Sequence, residues 1–298
     1  MGHKFLNDAG AAVTEMLEGF VQSHPGVKFL DGFPDVKVVV RSHVDKNKVA
    51  LVSGGGSGHE PAHTGFVGDG MLDAAVCGDV FASPSVAAVL AAIRHVTGSP
   101  GCLLIVKNYT GDRLNFGLAA ERAKLEGLNV EMVVVADDCA LPPPLGVAGR
   151  RGLAGTLFVH KCAGAAAAAG DTLELVAEEA RAAANSVGTM GVAAHAHTLP
   201  GINSNEPARA IPPGELEMGL GIHGEPGAFV SPAAPVNAVV ARMLGTIVDE
   251  TRGYMECLRQ DSRRKSMDGD ERTKVCLMVN SLGATPAMEL HVTARAVR

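Results

Sequence analysis

Paired cysteines, long apolar runs, positive charge and aromatic side chains are all scarce in this chain, and each shortage closes a class of function. The six cysteines, Cys77, Cys102, Cys139, Cys162, Cys257 and Cys276, contain no CxxC pair. That argues against a disulfide framework and points to a reducing compartment, so a cytoplasmic location is expected. The N-terminal MGHKFLNDAG lacks the apolar centre of a signal peptide and the Ser or Thr that myristoylation wants at its sixth position. No apolar run approaches the ~18 residues of a membrane span. Even CAGAAAAAG is too short and too weakly apolar. The formal net charge of −6 leaves no general basic surface, and the one dense basic cluster, Arg263 to Lys265, is flanked by acids. Nucleic acid and membrane are therefore not expected partners.

What is present is a chain of 298 residues that is 47% hydrophobic, rich in glycine (36 residues) and only 4% aromatic. This balance suits an α/β protein of roughly two domains. Val13, Met16, Leu17, Phe20 and Val21 have the spacing of an amphipathic helix opened by Asn7 or Asp8 and closed before Pro25. From residue 48 the pattern changes. KVALVS, CLLIVKN and NVEMVVVADD are continuously apolar, as strands buried on both faces of a parallel sheet must be. Between them, Val86, Val89, Leu90 and Ile93 form one helical stripe, and Leu114, Leu118 and Leu125 form another that stops at Gly127. The alternation predicts a doubly wound, mainly parallel sheet with helices on both faces, occupying residues 1–188. Ligands are expected at the carboxyl ends of its strands. Residues 189–298 are expected to form a second, smaller α/β domain. It would contain strands at MGVAAHAH, ELEMGLGIHG and KVCLMVNSL, a helix over 234–249 and a solvated charged loop over 258–273.

Three stretches sit where that sheet would bind ligands or resemble site loops. LVSGGGSGHEPAH, residues 51–63, spells HExxH, yet Pro61 directly follows Glu60 and biases it away from helical geometry. One helix cannot then bring His59 and His63 to one zinc. Nor does the stretch match a nucleotide loop. It lacks the GK[ST] ending of a P-loop, and the sixth position from Gly54 is His59 rather than the glycine of a dinucleotide fingerprint. What remains is a glycine loop that either makes a tight turn or lets backbone N–H groups approach a small polar ligand. In KNYTGDRLNF, Asp112 is placed to cap the following helix, which leaves it near a ligand as well. Lys107 ends an apolar strand, where a cation wants an anion or a ligand oxygen. In GLGIHGEPG, His223 stands between Gly221 and Gly224. By itself it reads as either structural or catalytic.

Taken together, VSGGGSGHEPAHTGFVGDGML, LLIVKNYTGDRLNFGLAAE with GRRGLAGT, and ELEMGLGIHGEPG closely resemble the substrate-binding K domain of the dihydroxyacetone kinase (glycerone kinase, triokinase) family. The resemblance runs from about residue 5 to NSLGATPAMEL. It implies two α/β domains and a kinase acting on dihydroxyacetone or glyceraldehyde, with His223 holding the substrate carbonyl carbon as a hemiaminal. It further implies His59 as acid/base at the phosphorylated hydroxyl, Asp112 as its catalytic companion and Lys107 as a substrate contact. Gly56, Ser57 and Gly58 would complete the pocket, and Glu60 and Glu225 would support it. No cofactor or metal is expected on this domain, because the family carries Mg·ATP on a separate helical L domain. A homodimer is expected. The chain stops soon after NSLGATPAMEL, where such domains continue, so a fragment, a truncated product or one half of a two-chain enzyme is expected. A regulator that binds dihydroxyacetone without phosphorylating it is the alternative, and an inactive truncated product a further one.

Overall fold

The computed structural model describes residues 4–141, 148–201, 210–249 and 274–297. A six-stranded sheet is built from β1 (Val27–Phe29), β2 (Val38–Arg41), β3 (Ala50–Ser57), β4 (Ala74–Val80), β5 (Cys102–Lys107) and β6 (Val130–Val135), in the order β1-β2-β4-β3-β5-β6. Strands β4, β3, β5 and β6 are parallel, while β1 and β2 add an antiparallel edge. The continuous apolar runs follow from two-sided burial. Ala50, Val52, Leu104 and Val106 enter one core layer, and Leu51, Leu103 and Ile105 enter the other. Full burial of each Val, Leu or Ile stabilises the fold by about 1.5–3 kcal/mol, which fixes the register against a one-residue slip.

Helices α2 (Val86–Val96) and α3 (Thr110–Leu125) cover the first layer; α4 (Thr156–Ala169) and α5 (Leu173–Asn185) cover the second. The expected mixed α/β architecture with a mainly parallel sheet is what the chain adopts. Helix α1 (Ala12–Ser23) sinks Val13 and Leu17 against β1 and β2. Its entrance is set by Asp8, whose Oδ2 accepts from the N–H groups of Gly10 and Ala11.

Helix α3 corrects the sequence reading twice. Leu114, Leu118 and Leu125 are 66%, 47% and 88% exposed, and the buried stripe is instead Phe116, Ala119, Ala120 and Ala123. Two helical stripes compete in this segment, and the one chosen combines Phe116 with three alanines, which lets the helix pack closely on α2 and the sheet while the one large ring fills the core. The helix also begins at Thr110 with Tyr109 at its cap position, so Asp112 lies inside the first turn rather than capping it.

A second sheet of three antiparallel strands, β7 (Val192–Ala193), β8 (Glu215–Met218) and β9 (Phe229–Pro232), packs Met190 and Met218 against α6 (Val236–Ile247). Helix α7 (Ala287–Ala296) lies on α6. The strand expected across ELEMGLGIHG ends at Met218, because Gly219 adopts φ +77° and turns the chain out of the sheet. The strand expected in MGVAAHAH shrinks to Val192–Ala193. KVCLMVNSL is not a strand: no described strand pairs with it, and Leu277, Met278 and Val279 instead line an apolar cavity of about 460 Å³ beside α6 and α7. The charged stretch 258–273 lies outside the described residues. No helix among the described residues is long and apolar enough to cross a membrane.

Candidate active site

The glycine run is not a loop. Strand β3 continues through Gly54, Gly55 and Gly56 to Ser57, and packing explains two of its glycines. A Cβ on Gly54 would stand 2.2 Å from the Val76 carbonyl oxygen, and one on Gly56 would meet the backbone of Phe81 and Ala82 within 2.6–2.8 Å. Gly55 differs, because its open side looks toward Lys107 Nζ and Asp112 Oδ2, each 3.7 Å from where a Cβ would be. The carboxyl end of β3 is therefore a bare backbone floor next to Lys107, which ends β5, and Asp112, in the first turn of α3. Ser57 uses its hydroxyl structurally, donating to the Gly78 carbonyl at 2.8 Å. Gly58 turns at φ +103° and donates its N–H to both carboxylate oxygens of Glu60 at 3.0–3.1 Å, which holds the loop bearing His59.

His59 and His223, far apart in sequence, meet above this floor. Their rings approach edge to face with centroids 4.9 Å apart. His59 stacks on Phe81 at 4.8 Å, and His223 also meets the edges of Phe81 and Tyr109, at 5.5 and 4.5 Å. Phe81 is the single described non-glycine residue with positive φ, +57°, a conformation that costs energy, and its ring packs against both histidines. The Glu225 carboxylate accepts from the His223 backbone N–H and bonds its Nδ1, both at 2.9 Å.

Burial leaves several polar atoms here without protein partners: His59 Nε2, Tyr109 Oη and Asp112 Oδ1. A buried orphan of this kind costs about 1–3 kcal/mol, so three of them among the residues grouped around His223 point to something that hydrogen-bonds there. Burial, with Lys107 and His223 nearby, pushes the His59 pKa down to about 3, so this imidazole is neutral at physiological pH. Burial raises the Asp112 pKa, against the pull of a Ser83 hydrogen bond and of Lys107. The Lys107 pKa is lowered, again by burial.

Beneath the floor runs a chain that the sequence did not announce. Lys107 Nζ donates to His63 Nε2 at 3.1 Å, and His63 Nδ1 bonds His160 Nε2 at 3.1 Å. As an ammonium Lys107 has only protons to offer, so His63 Nε2 accepts and His63 passes Nδ1–H to His160. His59 and His63 thus face different surroundings and do not converge on one point. Phe81, Tyr109, His63 and His160 were all missed from the sequence. Tyr109, inside KNYTGD, and His63, weighed there only as a zinc ligand and set aside, lay within stretches already singled out.

The Dak1 domain family model matches residues 18–298. A putative 3,4-dihydroxy-2-butanone kinase of Solanum lycopersicum is 58% identical over 98% of this chain and 47% of its own length. The crystal structure of the Citrobacter freundii dihydroxyacetone kinase superposes with a TM-score of 0.88 at 44% identity, covering all of this chain and 51% of that one. The dihydroxyacetone-binding subunit DhaK of a PTS-dependent dihydroxyacetone kinase from Listeria innocua is 43% identical over 99% of this chain and 83% of its own. The chain thus spans about half the length of the tomato and Citrobacter proteins. With motifs, fold and whole-chain similarity in agreement, the chain belongs to the dihydroxyacetone kinase family, as a Dak1 domain.

Proposed function

We propose that this domain captures dihydroxyacetone, or glyceraldehyde, covalently on His223 and presents one of its hydroxyl groups for phosphorylation. The observation that carries the reading is the His223 Nδ1 to Glu225 contact of 2.9 Å. A carboxylate accepts only, so it selects the tautomer with the proton on Nδ1 and leaves the lone pair on Nε2. Nε2 attacks the substrate carbonyl carbon: a C–N bond forms, the C=O π pair moves to oxygen, and that oxygen gains a proton. Nδ1 releases its proton through Glu225 to water, which replaces the one the oxygen took up, so the net change is addition of N–H across C=O to give a hemiaminal. Glycerol has no carbonyl and escapes the trap. The covalent bond fixes a small ligand in one orientation, and such fixing supplies much of the rate advantage of an intramolecular step.

The hydroxyl to be phosphorylated then falls between His59 and Asp112, where its one proton is accepted by either the partnerless Nε2 or the partnerless Oδ1. A base held near pKa 3 is weak by itself. In a loose phosphoryl-transfer transition state positioning and charge dominate, so an oriented acceptor that takes the proton is sufficient. Lys107 supplies positive charge beside Asp112. Gly56, Ser57 and Gly58 shape the wall with their backbone.

The residues here do not fit a nucleotide, because the glycine backbone is engaged in strand packing rather than open to phosphates. We assign ATP and Mg2+ to a separate L domain, as a partner in cis or trans, and the protein to the cytoplasm. A homodimer is consistent with apolar side chains exposed at Phe229, Val230, Met288 and Val292. Sedimentation that stays monomeric at high concentration would exclude it.

The test is carbon NMR with dihydroxyacetone labelled at its carbonyl, on the natural chain and on His223→Ala. A tetrahedral carbon in the natural chain alone is expected, and a ketone signal in both overturns the trap. Adding an ATP-binding domain with Mg·ATP should then release phosphorylated triose. If ligand is held but no phosphotriose forms, a binding regulator is the correct description.

A further inference from the structure

The loop bearing His223 is neither strand nor helix, yet the trap requires its imidazole to stay against His59. The GRRGLAGT stretch supplies a structural reason. Arg151, two residues before Leu153, lies with its side chain only 14% exposed against the Asp138 carboxylate, itself 2% exposed. Its Nε reaches Asp138 Oδ2 at 2.6 Å. Nη2 also lies 2.6 Å from Asp138 Oδ2 and donates to the Gly219 carbonyl at 2.7 Å, while Nη1 donates to the Pro226 carbonyl at 3.3 Å. Those two carbonyls bracket His223. Asp138 is fixed in turn, since its Oδ1 accepts the Ala140 N–H at 2.9 Å and its backbone bridges to Thr189.

We propose that Arg151 is a positioning residue: one guanidinium, anchored where β6 ends, holds both stems of the 219–226 loop and so sets His223 against His59. The proposal rests on the reading of His223 as the covalent trap. Only arginine has the required geometry, because its rigid fork can serve a carboxylate on one edge and two carbonyls on the other. A lysine keeps the charge toward Asp138 and loses the bracket. The packing at Gly221 supports the fit, since a Cβ there would lie 2.8 Å from Arg151 Nη1 and 2.1 Å from Glu225 Oε2. A side chain there would push arginine and glutamate apart, and glycine lets both reach the loop.

The test compares the natural chain with Arg151→Lys and Arg151→Met by two readouts, hydrogen exchange across residues 219–227 and the hemiaminal carbon signal. Arg151→Lys is the variant expected to keep the fold, and a two-state melt checks it. The expected result for Arg151→Lys is faster exchange confined to 219–227 and a dihydroxyacetone affinity lowered at least tenfold, with exchange in β3 and β5 unchanged. Loop exchange and adduct affinity within twofold of the natural chain overturn the proposal. If the natural chain forms no adduct, the reading of His223 fails and exchange alone decides: faster exchange at 219–227 upholds the bracket, and unchanged exchange removes it.

Discussion

Glu225 bonds His223 twice, at the backbone N–H and at Nδ1, each at 2.9 Å, so one carboxylate fixes both the place and the tautomer of the same imidazole. Burial opposes the charge on Glu225, but the bonds from His223 outweigh it and bring the carboxyl down to about 2, leaving it ionised across the physiological range.

Glu225→Gln should therefore weaken the hemiaminal. The amide oxygen can still accept from one of the two donors, Nδ1–H or the backbone N–H, but the charge is gone and the NH2 end cannot accept the other. A hydrogen bond to a charged group is worth about 1.5–3 kcal/mol, so dihydroxyacetone affinity should fall about 10- to 100-fold. Titration of the labelled ketone reads this directly. An affinity within twofold would show that Glu225 only shapes the loop.

Asp112→Asn separates stability from chemistry. The Asp112 pKa is raised in the fold, which means that the ionised form is the uncomfortable one there. The neutral isostere should melt at the same temperature as the natural chain at pH 7, or higher. Phosphotriose formation with an added ATP-binding domain should drop at least 100-fold on the order expected for acid–base groups. A melting temperature several degrees lower would identify the carboxylate as structural.

Acid should unfold this domain through its histidines. His59 and His160 sit at about 3 in the fold against an ordinary 6.5, and burial lowers His63 as well. All three are neutral when folded, while the unfolded chain takes up protons below its own pKa. Their contribution is complete above pH 6.5 and is lost as pH falls toward 3. Glu225 adds to the loss below its ordinary 4.5, and Asp112, shifted the other way, partly offsets it. Urea midpoints between pH 7 and pH 4 should decline, with a shallower decline in His160→Gln. A flat profile would contradict the burial of these rings.

Much of the sheet was legible because two-sided burial writes itself as uninterrupted apolar runs, and Lys107 stands out as a cation ending one of them. The segments around His59, Asp112 and His223 carry enough glycine and polar residues to be noticed. Other features depend on partners from elsewhere in the chain. Leu114 and Phe116 offered two helix faces, and the choice between them was made by α2 and the sheet. Nothing local distinguishes His160 from any histidine on an alanine-rich helix until Lys107 and His63 are seen above it. KVCLMVNSL has a strand's composition, but a strand also needs an edge to join, and no composition reports that.

The bare floor at the end of β3 limits how this pocket can change. Adding even a methyl at Gly54 or Gly56 drives it into neighbouring backbone, so alterations there damage the sheet before they can adjust the ligand. Variation that retunes the substrate must come from the rim, from Phe81, Tyr109 and the loop of His223. In a library of variants, the floor should tolerate little, and changes in selectivity should accumulate around its edge.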